Sequence, residues 1–81
     1  MQCQVRLNGA LARAAGQARL AVTVPDGATV AELIAEVRRR YPAHAQALAV
    51  AVAVQGGRHV AGDARLVPGQ EVALLLPVAG G

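Results

Sequence analysis

The sequence predicts an α+β domain in which a mixed sheet of four or five strands carries one main helix on one face. In several short runs, apolar residues occupy every other position, which is typical of half-buried strands. One stretch in the middle of the chain has instead the apolar spacing of an amphipathic helix. Because the chain has 81 residues, it has room for one domain and one core.

The first two strands are predicted at residues 3–7 and 20–24, where apolar side chains alternate along both runs. Asn8-Gly9 ends the first strand, and the sequence at 25–27 (Pro-Asp-Gly) closes the second. Between them, the Ala-rich residues 10–16 predict a turn or a short helical segment. Two adjacent strands of this kind suggest a hairpin.

The helix has the clearest local signal. Thr29 and Glu32 form a T-x-x-E capping box, in which each residue can satisfy a free backbone N–H of the other. Apolar residues then recur at helical spacing on one stripe: Val30, Leu33, Ile34, Val37 and Tyr41. Pro42 disfavours helical geometry before it and marks the end. The arginines at 38–40 then fall in the last turn, where cations favour the helix dipole; the alternative is a patch for an anionic ligand.

The second half of the chain predicts the remaining strands. After a loop containing His44, residues 48–54 alternate leucine or valine with alanine, which predicts a strand with both faces largely covered. A turn at 55–57 leads into a short edge strand at 58–60, and Leu66 is predicted to plug the core.

The final strand is predicted at 71–76, with Val72, Leu74 and Leu76 on the face toward the helix. The element order is therefore β-β-α-β-(β)-β, with one helix across one face of a mixed sheet. This is the β-grasp, or ubiquitin-like, arrangement.

Composition argues against two classes of partner. All eight basic residues are arginines, spread along the chain with one aromatic residue among them, whereas nucleic-acid surfaces group cations and aromatic side chains. No apolar run approaches the roughly 18 residues of a membrane span. We therefore expect neither nucleic acid nor a membrane as a partner. The absence of a secretion signal and the single cysteine, Cys3, predict a cytoplasmic location.

The residues also predict no catalytic centre within the chain. His44 and His59 have no metal-ligand spacing to other donors, and Cys3 alternates with the apolar residues of its strand, which favours a buried structural thiol. Asp63 and Glu71 are single carboxylates that we expect to be solvated. No glycine pattern matches a nucleotide-binding loop. The sequence thus predicts no bound metal or cofactor.

The end of the chain, LLLPVAGG, has a different character. Pro77 cannot donate to a strand ladder, so we expect a folded domain over 1–77 and a flexible tail over 78–81. Four extended residues span roughly 13 to 14 Å, which is enough to enter another protein's active site. Gly80 and Gly81 lack Cβ atoms, so they could thread a narrow channel. A carboxylate with a pKa of about 3.5 is a poor acyl electrophile and needs activation by a partner. The alternative is an end without function.

The runs DGATVAELIAEVRRRYP and VPGQEVALLLPVAGG resemble the MoaD/ThiS family of ubiquitin-like sulfur carriers, and the match covers essentially the whole chain. The resemblance implies that an E1-like enzyme uses ATP to adenylate Gly81, which is then converted to a thiocarboxylate that delivers sulfur in another enzyme's active site. Val78, Ala79 and Gly80 would thread the partner's channel.

The ending is most similar to the MoaD branch, which implies a hetero-oligomer with the large catalytic subunit of molybdopterin synthase. Leu76 and Ala79 depart from the usual residues of that branch. The pathway therefore stays open to thiamine, cysteine, tRNA thiolation or secondary metabolism. Two other classes also remain: a ubiquitin-like protein modifier, and an interaction module with an inert tail.

Leu75 and Pro77 are predicted to contact the partner. Alternation along the last strand puts Leu75 on the face away from the helix, where an exposed leucine indicates a docking surface. The alternative is one scattered apolar residue on the protein surface.

Overall fold

A computed structural model describes residues 1–76 of the chain. Over these residues, five strands form one sheet, and the helices connect them or cover one face. In chain order, the elements are β1 (Gln2–Leu7), α1 (Gly9–Ala15), β2 (Arg19–Thr23), α2 (Val30–Arg40), a 3-10 turn (Pro42–His44), α3 (Ala45–Ala49), β3 (Val52–Gln55), β4 (Arg58–Val60) and β5 (Val72–Leu75).

The sheet is mixed, with the strand order β2-β1-β5-β3-β4. β1 and β5 are parallel neighbours, with Val5 opposite Val72 and Leu7 opposite Leu74, and the other pairs are antiparallel. The first and last strands of the described chain therefore lie side by side within the sheet. This is the β-grasp arrangement, and it confirms the predicted fold class.

α2 begins at the predicted capping box. The Thr29 hydroxyl accepts from the Glu32 backbone N–H at 3.3 Å, and the Glu32 carboxylate accepts from the Thr29 backbone N–H at 3.1 Å. The next two N–H groups, of Val30 and Ala31, donate to carbonyls of the segment 62–64 at 2.9 and 2.8 Å. Because a helix leaves its first four N–H groups unpaired, this segment completes the cap and fixes where α2 starts.

The core lies between α2 and the covered face of the sheet. Aliphatic side chains fill it, as the composition requires: Val5, Val22, Val72 and Leu74 from the strands, and Val30, Leu33 and Val37 from α2. Leu66 is buried from the segment before β5, as predicted. The side chains of this core are small, so their close contacts depend on the tight approach of the helix to the sheet.

One predicted strand was wrong in its first part. Residues 48–54 are not one strand, because the first part forms α3, which carries Leu48 into the core, and Val50 lies in a turn with 62% of its surface exposed. Alanine has the highest helix propensity, and packing against α2 stabilises a helical turn at this position. β1 and β2 pair as antiparallel strands, as predicted, and the Ala-rich residues between them form the short helix α1.

β3 begins only at Val52, and its side chains alternate between the two faces of the sheet. Ala53 and Gln55 face the covered side, whereas Val52 and Val54 face the other side and are half-buried. The connection to β4 is a two-residue hairpin at Gly56 and Gly57, whose φ values of 61° and 77° favour glycine. The turn and the short edge strand β4 are as predicted.

Gln55 is buried, with 7% of its surface exposed, and it ties β3 to the loop before β5. Its side-chain amide donates to the Arg65 carbonyl at 3.1 Å, and its side-chain oxygen accepts from the Val67 N–H at 3.0 Å. We expect Gln55→Leu to lower the free energy of unfolding by about 1 to 3 kcal/mol, because it leaves both backbone groups without their partner.

Denaturant unfolding measures this loss, and Gln46→Leu on the exposed side of α3 is the matched control. The control is expected to change the free energy of unfolding by no more than about 0.5 kcal/mol. Equal effects of the two substitutions would contradict the role given to Gln55.

Candidate functional site

Six residues were predicted to form the site, and the structure describes one of them, Leu75. Pro77, Val78, Ala79, Gly80 and Gly81 lie outside the described residues, as does the predicted domain boundary at Pro77. The described part of the site is therefore the end of β5 and the sheet surface around it.

Side chains along β5 alternate between the two faces of the sheet. Val72 and Leu74 are fully buried against the helix side, whereas Ala73 and Leu75 are half-buried on the other face. Leu76 packs against the core cluster, as the predicted alternation requires. Leu75 thus lies on the face that α2 does not cover, where the sequence placed it.

Three further apolar residues surround Leu75 on this face. The antiparallel register of β3 and β5 sets Val52 opposite Leu75 and Val54 opposite Ala73, and all four side chains are half-buried. We call these four residues the helix-free patch. Sequence reasoning missed Val52 and Val54 because it expected that strand to be covered on both faces. The hairpin at Gly56-Gly57 was the signal that could have fixed their orientation, since its turn sets the register.

Positive charge borders the helix-free patch. Arg6 lies opposite Ala73 in the parallel ladder, and Arg19 lies opposite Arg6. Both guanidinium groups lie near the Glu71 carboxylate, at 3.9 and 3.8 Å. Sequence spacing suggested no partner for Glu71, and the structure supplies two, while the carboxylate stays partly exposed to solvent as expected. Exposed pairs of this kind add little stability, but two cations sharing one anion leave a net positive edge beside the patch.

The remaining candidate groups are scattered. Cys3 is buried in β1, and burial raises the pKa of its thiol, so the group stays protonated at neutral pH and is a weak nucleophile. His59 is exposed on β4 and His44 is half-buried in the 3-10 turn. Within residues 1–76, no three His, Cys, Asp or Glu side chains come together as a metal site. Over the same residues, no helix is both long and apolar enough to cross a bilayer.

The geometry thus offers an apolar patch with a cationic edge, at the point where β5 leads toward residues 77–81. The fold and this surface define a ubiquitin-like domain. The sequence profile of the ThiS family matches residues 5–81, and the chain belongs to this family of ubiquitin-like sulfur carriers. No curated protein sequence matched the chain.

Solved structures share the fold over nearly the whole chain. SAMP1 of Haloferax volcanii, a small archaeal modifier protein, is 25% identical with a TM-score of 0.84, and the match covers 100% of both chains. A Pyrococcus furiosus protein described as molybdopterin converting factor, subunit 1, is 24% identical with a TM-score of 0.84, over 96% of this chain and 99% of that one.

A third structure is a complex of subunits 1 and 2 of the molybdopterin-converting factor from Helicobacter pylori. Its matching chain is 21% identical with a TM-score of 0.68, over 100% of both chains. At 24% and 21% identity, the similarity to the Pyrococcus and Helicobacter proteins shows a shared fold and no more.

Proposed function

We propose that this chain carries sulfur as a thiocarboxylate on Gly81. The observation that supports this most strongly is the family match, which extends through Gly80 and Gly81 to residue 81. The helix-free patch supports it independently, since it provides a docking surface beside the strand that leads into the tail.

The proposed chemistry takes place in the active sites of partners. In an E1-like enzyme, an oxygen of the Gly81 carboxylate attacks the α-phosphorus of ATP, and pyrophosphate leaves. A hydrosulfide ion supplied by a partner then attacks the acyl carbon and displaces AMP, and loss of its proton leaves the thiocarboxylate. Because the thiol of Cys3 is buried and protonated, this sulfur comes from outside the chain. Val78, Ala79 and Gly80 lie in the partner's channel during both steps.

As the acceptor, we propose the large catalytic subunit of molybdopterin synthase, with this chain as the small subunit of a cytoplasmic hetero-oligomer. The fold likeness to the Pyrococcus protein and to the Helicobacter complex supports this choice. Leu75 and Pro77 would contact the large subunit together with the rest of the helix-free patch. In this proposal the chain binds no cofactor, and ATP belongs to the activating enzyme.

One observation favours a second candidate function, that of a ubiquitin-like protein modifier. SAMP1 of Haloferax volcanii, described as a modifier, matches this chain over its full length. In that case the activated Gly81 would form an isopeptide bond with a lysine of a target. This chain contains no lysine, so it could not extend lysine-linked chains on itself.

Mass spectrometry of the protein from its native host distinguishes the candidates. We expect a species heavier than the unmodified chain by the difference between one sulfur and one oxygen atom, and we expect iodoacetamide to alkylate it at the terminus. Heavier isopeptide-linked species without this form would support the modifier. Detection of the unmodified chain alone, in cells that express the pathway, would support an inert tail.

A further inference from the structure

A second apolar surface lies on the helix-covered side, between α2 and the edge of the sheet formed by β3 and β4. It is a groove of about 470 Å³, which we call the α2 groove. The apolar residues along it are Val30, Ala31, Ile34 and Ala35 from α2, Ala49 and Ala51 from the end of α3 and the following turn, Val52 and Ala53 from β3, and Val60 from β4.

The groove is open because of two features of the sequence. β4 has three residues and ends at Val60, opposite Ala53, so among the described strands none continues beside the start of β3. The part of α2 above this gap carries Ala31 and Ala35, whose side chains are too short to fill it. The volume lies within the range of sites that bind small ligands or peptide side chains.

Exposed apolar surface borders the groove. Ile34 and Val60 are half-buried in its walls. Val50, between Ala49 and Ala51, is 62% exposed, the largest value among the large hydrophobic residues described. Partly exposed apolar side chains in the walls of an open groove are typical of an interaction site.

Arg38 supplies one charge at the groove. It lines the same depression, it is exposed, and within residues 1–76 it forms no salt bridge. The next residue differs, because Arg39 pairs with Glu36 at 3.1 Å. The guanidinium of Arg38 is thus available to a carboxylate from outside the chain.

We propose that the α2 groove binds a short apolar segment of a partner protein, which carries an aspartate or glutamate that pairs with Arg38. Charge decides between this occupant and a second copy of the chain. Arg38 is exposed in the groove lining, and the formal net charge of the chain is +3, so a second copy would bring like charges together. Val52 lines the groove and also belongs to the helix-free patch, so the two surfaces meet at the start of β3.

An NMR titration of the isotope-labelled full chain tests the proposal. The probe is a capped peptide, VIVLDD, and its matched peptide, VIVLNN. We expect the amide signals of Ala31, Ile34 and Val60 to shift with VIVLDD, and VIVLNN to bind about threefold more weakly, as an exposed ion pair predicts. Shifts confined to the helix-free patch, or equal affinity for the two peptides, would overturn it.

Charge-reversal variants show which arginine the carboxylates of the peptide contact. Arg38→Glu is expected to weaken binding of VIVLDD by about tenfold, since attraction becomes repulsion. Arg40→Glu makes the same change in net charge on a residue outside the groove lining, and we expect a smaller loss. Equal losses for the two variants would show a general charge effect and refute the assigned contact.

Two further variants test the occupant. Deletion of Gly81 should leave VIVLDD binding unchanged, which separates this proposal from the proposed function. A chain lacking residues 77–81 should give the same groove signals as the full chain before peptide is added. If those signals shift on deletion, the chain's own end occupies the groove and the partner segment is excluded.

Discussion

Deletion of Gly81 is expected to abolish ATP-dependent activation by the E1-like enzyme. The shortened chain still ends in a glycine carboxylate, that of Gly80, so its intrinsic reactivity is unchanged. In the deletion variant, however, the terminal carboxylate falls short of the position reached by that of Gly81 by about 3.3 to 3.6 Å, the length of one extended residue. A misplacement of about 1 Å can cost a hundredfold in rate, so a full residue should reduce adenylation below detection. Exchange of labelled pyrophosphate into ATP measures this step directly.

The matched control for this deletion is Arg13→Gln, at an exposed position on α1 far in sequence from the tail. Both variants should unfold at the same temperature as the original chain, since neither changes the core. The control should support normal exchange. Adenylation that persists in the deletion variant would refute the assignment of Gly81 as the reacting residue.

Leu75→Asp is expected to weaken binding to the large subunit by at least about tenfold while the domain stays folded. Leu75 belongs to the half-buried helix-free patch, so the substitution does not place a charge in the core. In the complex, however, the carboxylate would be desolvated against Val52 and the partner's apolar surface. Loss of one well-packed anchor in an interface commonly costs more than 1.4 kcal/mol, a factor of about ten in Kd. Titration calorimetry gives the affinity.

Gln2→Glu is the control for Leu75→Asp. It adds one negative charge to the same face of the sheet, but at the start of β1 and away from the end of β5. We expect its affinity to stay within about twofold of the original, because exposed charges at a distance contribute little. An unchanged Kd for Leu75→Asp would remove Leu75 from the interface.

Local sequence signals correctly predicted the elements whose ends are marked by residues close to them in the sequence. The capping box at Thr29 and Glu32 defines the start of α2, and Pro42 follows its last turn. The alternation in β1 and β5 gave the correct buried face in each strand, and therefore the position of Leu75. These features depend on neighbouring residues, so they can be read without knowledge of the fold.

Features that depend on long-range pairing could not be read in the same way. Alternating alanine and valine over 48–54 fits a strand by pattern, but packing against α2 made the first part a helix. The pairing of Glu71 with Arg6 and Arg19 joins three strands that are distant in sequence. The α2 groove likewise depends on where β4 stops relative to β3, which only the sheet register determines.

The position of β5 between β1 and β3 has a consequence for how the molecule is made. On a ribosome, β1 emerges well before its neighbour β5, so the sheet lacks an interior strand until residues 72–75 have been released. A domain of this size folds as one unit, and a chain without that strand leaves two edges unpaired. Folding of the sheet therefore waits for the release of β5. An enzyme that recognises the assembled sheet would act only on a chain in which β5 has already paired.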